Sequence, residues 1–373
     1  MKHLILLTLL ISSSVYSKLT VETFNVGLAK GFVDLSVERE PEVLKAIKSS
    51  QADILCLQEA WDISLRKKIQ KELSDTYSDI YLTNVYQTTT SSRPSCGVKQ
   101  LFGKGKFVTC MQKQCGDVEG DDFTDCILTK CDGALQTLRE ENRECGSALM
   151  AKVGKNQIVS ILHLINPFYR AGLYAYRGSN GLVLLSKLPL KNKKLIDFSD
   201  ISTLNRRQAL QATVEYQGED VQVTCTHLAA DLNVPYTGVS RNWADENYNQ
   251  IIRLLDETLV EDQKSIVLGD FNCGHEDTEA GLDAELAQSC ELLDQYFADP
   301  VRETKECTYC EENSINQADN SKTNSLIDHI YLKGLKASSV KRVYDEKVEV
   351  EVQKGVKLET HISDHFGMQI TID

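Results

Sequence analysis

The sequence predicts an α/β fold, and three observations carry that prediction. Short runs of Val, Ile and Leu recur as strand-length segments, and stretches with apolar residues three and four apart lie between them. The two kinds alternate from the start of the chain, the rhythm of a layered α/β architecture. Several of the apolar runs also end in a carboxylate, an amide or an imidazole, so polar chemistry collects where strands meet loops.

Taken in order, Leu4–Ile11 is a short apolar stretch behind Lys2, followed by small residues around Val15 and Ser17. It is too short to cross a bilayer and is expected to be a signal peptide over residues 1–17, which makes the protein an exported one. Leu19–Val26 alternates as a strand and delivers Asn25. Glu40-Pro41 opens a helix with Val43, Leu44 and Ile47 on one face. Asp53–Glu59 reads as a buried strand ending in an acid, and Leu65, Ile69 and Leu73 mark a second amphipathic helix. From about residue 84 to 146 the rhythm breaks. Six cysteines (Cys96, Cys110, Cys115, Cys126, Cys131 and Cys145) crowd a polar, weakly periodic segment, expected to be a disulfide-stapled, loop-rich insertion into one domain spanning 18–373.

Tyr169–Arg177 mixes aromatics and arginines; it fits a half-buried strand, or else a surface segment that meets lipid or substrate. Gly181–Ser186 is another buried strand. Gln208–Tyr216 alternates, with Leu210, Ala212, Val214 and Tyr216 on one face. After the Gln217-Gly218 turn, Val221, Val223, Cys225 and His227 share a face, so His227 points inward. Tyr248, Ile251/Ile252, Leu255 and Leu259 give a helix leading into Ser265–Asn272. In that run Gly269 lets the chain turn, and Asp270 and Asn272, two apart, can face one site. Ser325–Leu332 and Ser363–Ile372 are late strands carrying Asp328, His329, Asp364 and His365.

A formal charge of −13 gives the protein no general attraction to nucleic acid or anionic lipid, although a metal-loaded site can be locally positive. Cys273, Cys290, Cys307 and Cys310 form a later group expected to pair, zinc at Cys307-Thr-Tyr-Cys310 being the alternative. Cys56 and Cys225 lie inside strand-like runs and are expected to be buried thiols outside any bridge.

Asn25, Glu59, His227, Asp270, Asn272, Asp328, Asp364 and His365 are the strand-end polar residues. Carboxylates and amides are hard ligands that suit Mg²⁺, with Mn²⁺ or Ca²⁺ also possible, and two histidines among acids can exchange protons. The sequence has no Gly-x-Ser-x-Gly elbow, no Walker loop and no His-Glu-x-x-His. Metal-assisted attack of water on a phosphoester is the chemistry such parts perform. His329 should face away from Asp328's side, and His163, His275 and His361 stand outside any motif.

Phe24-Asn25, Leu57-Gln58-Glu59, Cys225-Thr226-His227-Leu228, Gly269-Asp270-Phe271-Asn272, Ile327-Asp328-His329 and Ser363-Asp364-His365 follow in one order. In that order the chain resembles the DNase I-like endonuclease/exonuclease/phosphatase superfamily. The resemblance implies a four-layer α/β/β/α sandwich with a site at one edge. It implies a divalent cation held by Asn25, Glu59 and Asp364, with Asp270 and Asn272 positioning water and phosphate. His227 and His365 would bracket the phosphate, His365 oriented by Asp328. Thr226–Ala230 and Ser179–Pro189 resemble the secreted, magnesium-dependent sphingomyelinase branch, which implies a phospholipid headgroup as substrate, peripheral membrane contact and action as a monomer. A secreted nuclease, with Arg206 and Arg207 on a nucleic-acid phosphate, is the alternative. A third reading is an exported binding or toxin-like protein that uses the Cys-rich insertion.

Overall fold

The structure is a computed structural model that describes residues 18–118, 126–127, 129–152, 155–232 and 236–373. The expected signal peptide at 1–17 lies outside the described residues. β1 (Leu19–Asn25) and β2 (Ile54–Gln58) pair in parallel, Asn25 beside Gln58, because α1 (Glu40–Ser49) carries the chain back between them. Pro41 sits in the first turn of α1, and Val43, Leu44 and Ile47 are buried. α2 (Ile63–Leu73) is capped by Asp62 and buries Leu65, Ile69 and Leu73. β3 (Asp79–Tyr81) forms one edge of this first sheet.

Residues from Gly97 onward were expected to be loop-rich and are instead helical: α3 (Val98–Leu101), α4 (Phe107–Cys115), α5 (Asp132–Glu141) and α6 (Arg143–Met150). The helices continue past residue 146 to α7 (Gln157–Ile165). They surround an apolar cluster of their own that includes Leu101, Phe107, Met111, Leu135, Leu138 and Leu149. The six cysteines pair with one another, Cys96–Cys145, Cys110–Cys131 and Cys115–Cys126. Periodicity was hard to read because each helix is short and the bridging cysteines take core positions.

β4 (Val183–Ser186) returns the chain to the first sheet, and β5 (Lys191–Asp197), β6 (Gln208–Tyr216) and β7 (Glu219–His227) begin the second. α8 (Trp243–Thr258) crosses to β8 (Lys264–Asp270), parallel to β7 with His227 beside Asp270. After α9 (Ala287–Leu293) and α10 (Ser314–Ala318), β9 (Asp328–Lys333) pairs antiparallel to β8 and places Asp328 beside Asp270. β10 (Ala337–Val343), the hairpin of β11 (Val348–Gln353) and β12 (Val356–Thr360), and β13 (Gly367–Ile372) follow.

The first sheet runs β10-β13-β1-β2-β4-β3 and the second β5-β6-β7-β8-β9. Their inner faces meet through Val21, Ile54, Leu184, Leu210, Val223, Leu268 and Ile370. α1 and α2 bury Val43, Ile47, Leu65 and Ile69 against the outside of the first sheet. α8 and α9 bury Ile251, Leu254 and Leu293 against the outside of the second. These are the four layers of the α/β/β/α sandwich.

Two expectations change. Cys56 and Cys225 form a disulfide that joins β2 to β7 across the core. Each cysteine sits on the inward face of its strand, so burial in facing sheets is what brings the sulfurs together. Tyr169–Arg177 is no strand. It crosses the surface irregularly, bridges to Thr89 at Gly172, and ends in a turn where Tyr176 and Arg177 take φ +47° and +58°. Cys273–Cys290 and Cys307–Cys310 also form disulfides, which excludes the zinc alternative there.

Candidate functional site

The parallel pairs β1/β2 and β7/β8 point the same way, and β9 and β13 begin at that end. Asn25, Glu59, His227, Asp270, Asn272, Asp328, Asp364 and His365 therefore gather at one edge of the sandwich from four different strand pairs. Gly269 makes the geometry possible: at φ +152°, a Cβ there would lie 2.0 Å from the Thr226 carbonyl oxygen. Gly27 does the same for Asp364, whose Oδ1 occupies the space a Cβ at Gly27 would need.

Asp270 is the hub. Its Oδ2 accepts from Asn25 Nδ2 at 2.8 Å and lies 3.3 Å from His227 Nε2, and its Oδ1 accepts from the Asn272 amide at 2.9 Å. Asn272 Nδ2 donates to the Leu228 carbonyl, and Asn25 Oδ1 accepts from the Gly27 amide. Across the site, His365 Nδ1 lies 2.9 Å from Asp328 Oδ2, the geometry of an oriented imidazole. His329 points the other way, to Asp299 and the Cys273 carbonyl. His361 accepts from Ser314, and His275 pairs with Asp294 away from the site.

The charges are out of balance. Burial, reinforced by Asp364, pushes the Glu59 carboxyl up to about 7. Burial, reinforced by Asp328, pushes Asp270 up to about 6. The two histidines separate. Burial drives His227 well below the ordinary value, helped by Arg207 and His365. Burial works against charge on His365 too, yet Asp328, Asp270 and Asp364 together hold it well above that value.

Glu59 is half-buried, but its Oε2 is sealed from solvent with no hydrogen-bond partner, as are Asp328 Oδ1 and His227 Nδ1. An orphaned carboxylate oxygen on Glu59, whose pKa is raised by burial and by the neighbouring Asp364, fits a divalent cation. Asn25, Glu59 and Asp364 offer hard oxygens for it, although both ends of the Asn25 amide already have protein partners. Asp270, Asp328 and His365 also place ligand atoms within 4.8 Å of one another. The His365–Asp328 hydrogen bond occupies the nitrogen of that group, so it reads better as an oriented acid–base pair.

A cleft of about 520 Å³ opens over these residues. Phe32, Trp61, Tyr176, Met150 and Leu204 form its apolar wall, with Asp231 and Glu285 also on its lining. Trp61 and Tyr176 stack at 5.0 Å, and the Arg207 guanidinium lies 5.8 Å from the Trp61 ring. Arg206, by contrast, is spent on Tyr86 and Asp197.

The sequence reading missed several supports. Arg39 is fully buried and donates to the Gly27 and Ile362 carbonyls, bracing both sides of Asp364. Asn247 and Gln250 of α8 hold the backbone at Ala229, and Asn247 also reaches Phe271. Thr308 Oγ1 accepts from the Ile327 and Asp328 amides at 3.1 Å, and Tyr309 stands edge-on to His365 at 5.3 Å. Trp61 alone had a signal, two residues beyond Glu59 on a strand-end segment.

The endonuclease/exonuclease/phosphatase family profile matches residues 23–365, which contain all eight residues of this edge and the sandwich except β13 and the start of β1. The chain belongs to the endonuclease/exonuclease/phosphatase family. Two solved structures share its fold. Sphingomyelinase C from Streptomyces griseocarneus aligns at a TM-score of 0.54 and 16% identity, over 96% of this chain and all 100% of that one. SmcL aligns at 0.53 and 12%, over 95% of this chain and 99% of that one. No curated protein matches the sequence.

Proposed function

We propose that this family member is an exported, divalent-metal-dependent phosphodiesterase that cleaves the headgroup from sphingomyelin or a related phospholipid. The observation that carries the reading is the cleft. His365, whose pKa Asp328, Asp270 and Asp364 raise against burial, and His227, whose pKa burial lowers, face it beside the orphaned Glu59 carboxylate and Arg207, under an aromatic wall. Glu59 and Asp364, with Asn25, would hold the cation, which would supply Lewis-acid chemistry to the phosphoester. Arg207 and His365 stabilise charge as it develops on the phosphate. Asp328 fixes His365 Nδ1, leaving Nε2–H to donate into the cleft. His227, biased toward its neutral form, can take a proton, and His365, biased toward its charged form, can give one. Asp270 and Asn272 fix the positions of Asn25, His227 and Leu228 around the reacting group.

The headgroup choice rests on charge. Asp231 and Glu285 lie near enough that Asp231 helps raise the Glu285 pKa, after burial. Two acids on the same cleft lining as Trp61, Tyr176 and Phe32 suit a quaternary ammonium and disfavour a polyanionic strand. The nuclease alternative loses half of its arginine pair, since Arg206 faces away from the cleft lining. The test is phosphocholine release from detergent-dispersed sphingomyelin, with Mg²⁺ and with chelator, beside nicking of plasmid DNA. Release that chelator abolishes is expected. Nicking without phosphocholine release would overturn the substrate.

A further inference from the structure

We infer that α7 and the loop after it form a bilayer-docking face, a surface that rests on the phospholipid reading above and gives it a means of reaching its substrate. The helix is apolar on both sides. Of its nine residues (QIVSILHLI), Leu164 and Ser160 are buried and Ile161 and Ile165 pack against the helical cluster, while Ile158, Val159 and Leu162 are exposed by 72%, 49% and 56%. Ile158 and Leu162 are four apart and share one side of the helix. The Pro167-Phe168-Tyr169 loop continues the patch, with Phe168 exposed by 87%, the largest exposure of any large apolar side chain among the described residues. A short helix that keeps aliphatics on its solvent side as well as its buried side, continued by an exposed phenylalanine, has the polarity of a segment made to enter an apolar phase.

Charge says which phase. The chain holds 54 acidic residues, yet none lies between Glu144 and Asp197. Lys152, Lys155, Arg170 and Arg177 border or follow α7 in that stretch. Basic side chains around exposed aliphatics match the phosphate level of a bilayer, and a protein so acidic elsewhere is turned by its own field to present this face first. Position agrees as well. Met150, at the end of α6, and Tyr176, after the Phe168 loop, both line the catalytic cleft. The face therefore sits on the piece of chain that forms one cleft wall. Tyr174 and Tyr176 take no part in it. The Tyr174 hydroxyl is tied to the Ser199 carbonyl in a buried position, and Tyr176 stacks on Trp61.

The test is co-sedimentation with vesicles of phosphatidylcholine and sphingomyelin, with and without phosphatidylserine, in chelator so that no turnover occurs. The triple substitution Ile158→Ser, Leu162→Ser, Phe168→Ser should weaken partitioning by on the order of tenfold or more. Lys155→Glu with Arg170→Glu should weaken it chiefly on the phosphatidylserine vesicles. Both variants should hydrolyse bis(p-nitrophenyl) phosphate as the parent does, which also reports that they are folded. Equal partitioning of parent and triple variant overturns the proposal, as does a parent that binds neither vesicle. A parent that is dimeric in sedimentation velocity and becomes monomeric on the triple substitution assigns the face to a second copy, and also overturns it. Vesicle binding through this face without phosphocholine release would sink the substrate reading and leave the docking face standing.

Discussion

Replacing Cys56 and Cys225 together by Ala should cost about 6 kcal/mol of stability while leaving the native site intact. The bridge spans 169 residues of sequence, but the Cys96–Cys145 bridge lies inside that loop and shortens it to roughly 120 residues of free chain. Loop-closure entropy depends on length only logarithmically, so the nested bridge lowers the stabilisation by a few tenths of a kcal/mol from a value near 5. Both residues are fully buried, and the lost sulfur packing adds on the order of 1 kcal/mol. With a denaturant slope of about 3 kcal/mol/M for a chain this size, the urea midpoint should fall by roughly 1.5–2 M. Equilibrium unfolding followed by the fluorescence of Trp61 and Trp243 measures it. Alanine is the substitution to use, because serine would bury two hydroxyls in an apolar core. A midpoint that moves by less than about 0.3 M would refute the reasoning, since it would mean the reduced chain already keeps the two sheets together.

Three further outcomes are expected. Glu59→Gln should keep the fold and lower kcat by about 10²–10³, because it removes one charge from the cation site; activity at the parent level, or full parent activity in chelator, would contradict the assignment. Thr308→Val strips the acceptor from the buried Ile327 and Asp328 amides; it should cost about 1–3 kcal/mol per orphaned N–H and lower kcat more than it raises KM, and unchanged unfolding and turnover would show that Thr308 does not position Asp328. His329 meets two acceptors, Asp299 Oδ2 at 2.8 Å and the Cys273 carbonyl at 2.9 Å, so both ring nitrogens carry protons. Burial alone would lower its pKa, but Asp299 and that carbonyl raise it above the ordinary 6.5. A group with a raised folded pKa gives its full stabilisation below the unfolded value and loses it as pH climbs through the folded one. The urea midpoint should therefore decline above pH 6.5 with a one-proton component that His329→Gln lacks; identical pH profiles would disprove it.

Strand ends were legible because they join two strong local signals, an apolar run and a polar stop. Val221, Val223, Cys225 and His227 needed only the two-residue period to place the imidazole inward, and the same period sent His329 away from Asp328. What depended on distant partners could not be read. Cys56 reads as an apolar residue until the second sheet brings Cys225 against it. Arg39 lies in an unremarkable stretch, and only the fold brings the Gly27 and Ile362 carbonyls to its guanidinium. Tyr176 looked like half of an aromatic alternation, but its role comes from a positive φ that tips the ring onto Trp61. Cys307-Thr-Tyr-Cys310 drew notice for its sulfurs, while the two residues between them are the ones that touch Asp328 and His365.

β1 lies between β2 and β13, with Leu19 opposite Ile372. Asn25 and Glu59 come from the first two strands, whereas Asp364 and His365 stand just before β13, far away in sequence. The two halves of the site therefore meet only when β1 is flanked on both sides, and no contiguous fragment of the chain can carry the reaction by itself.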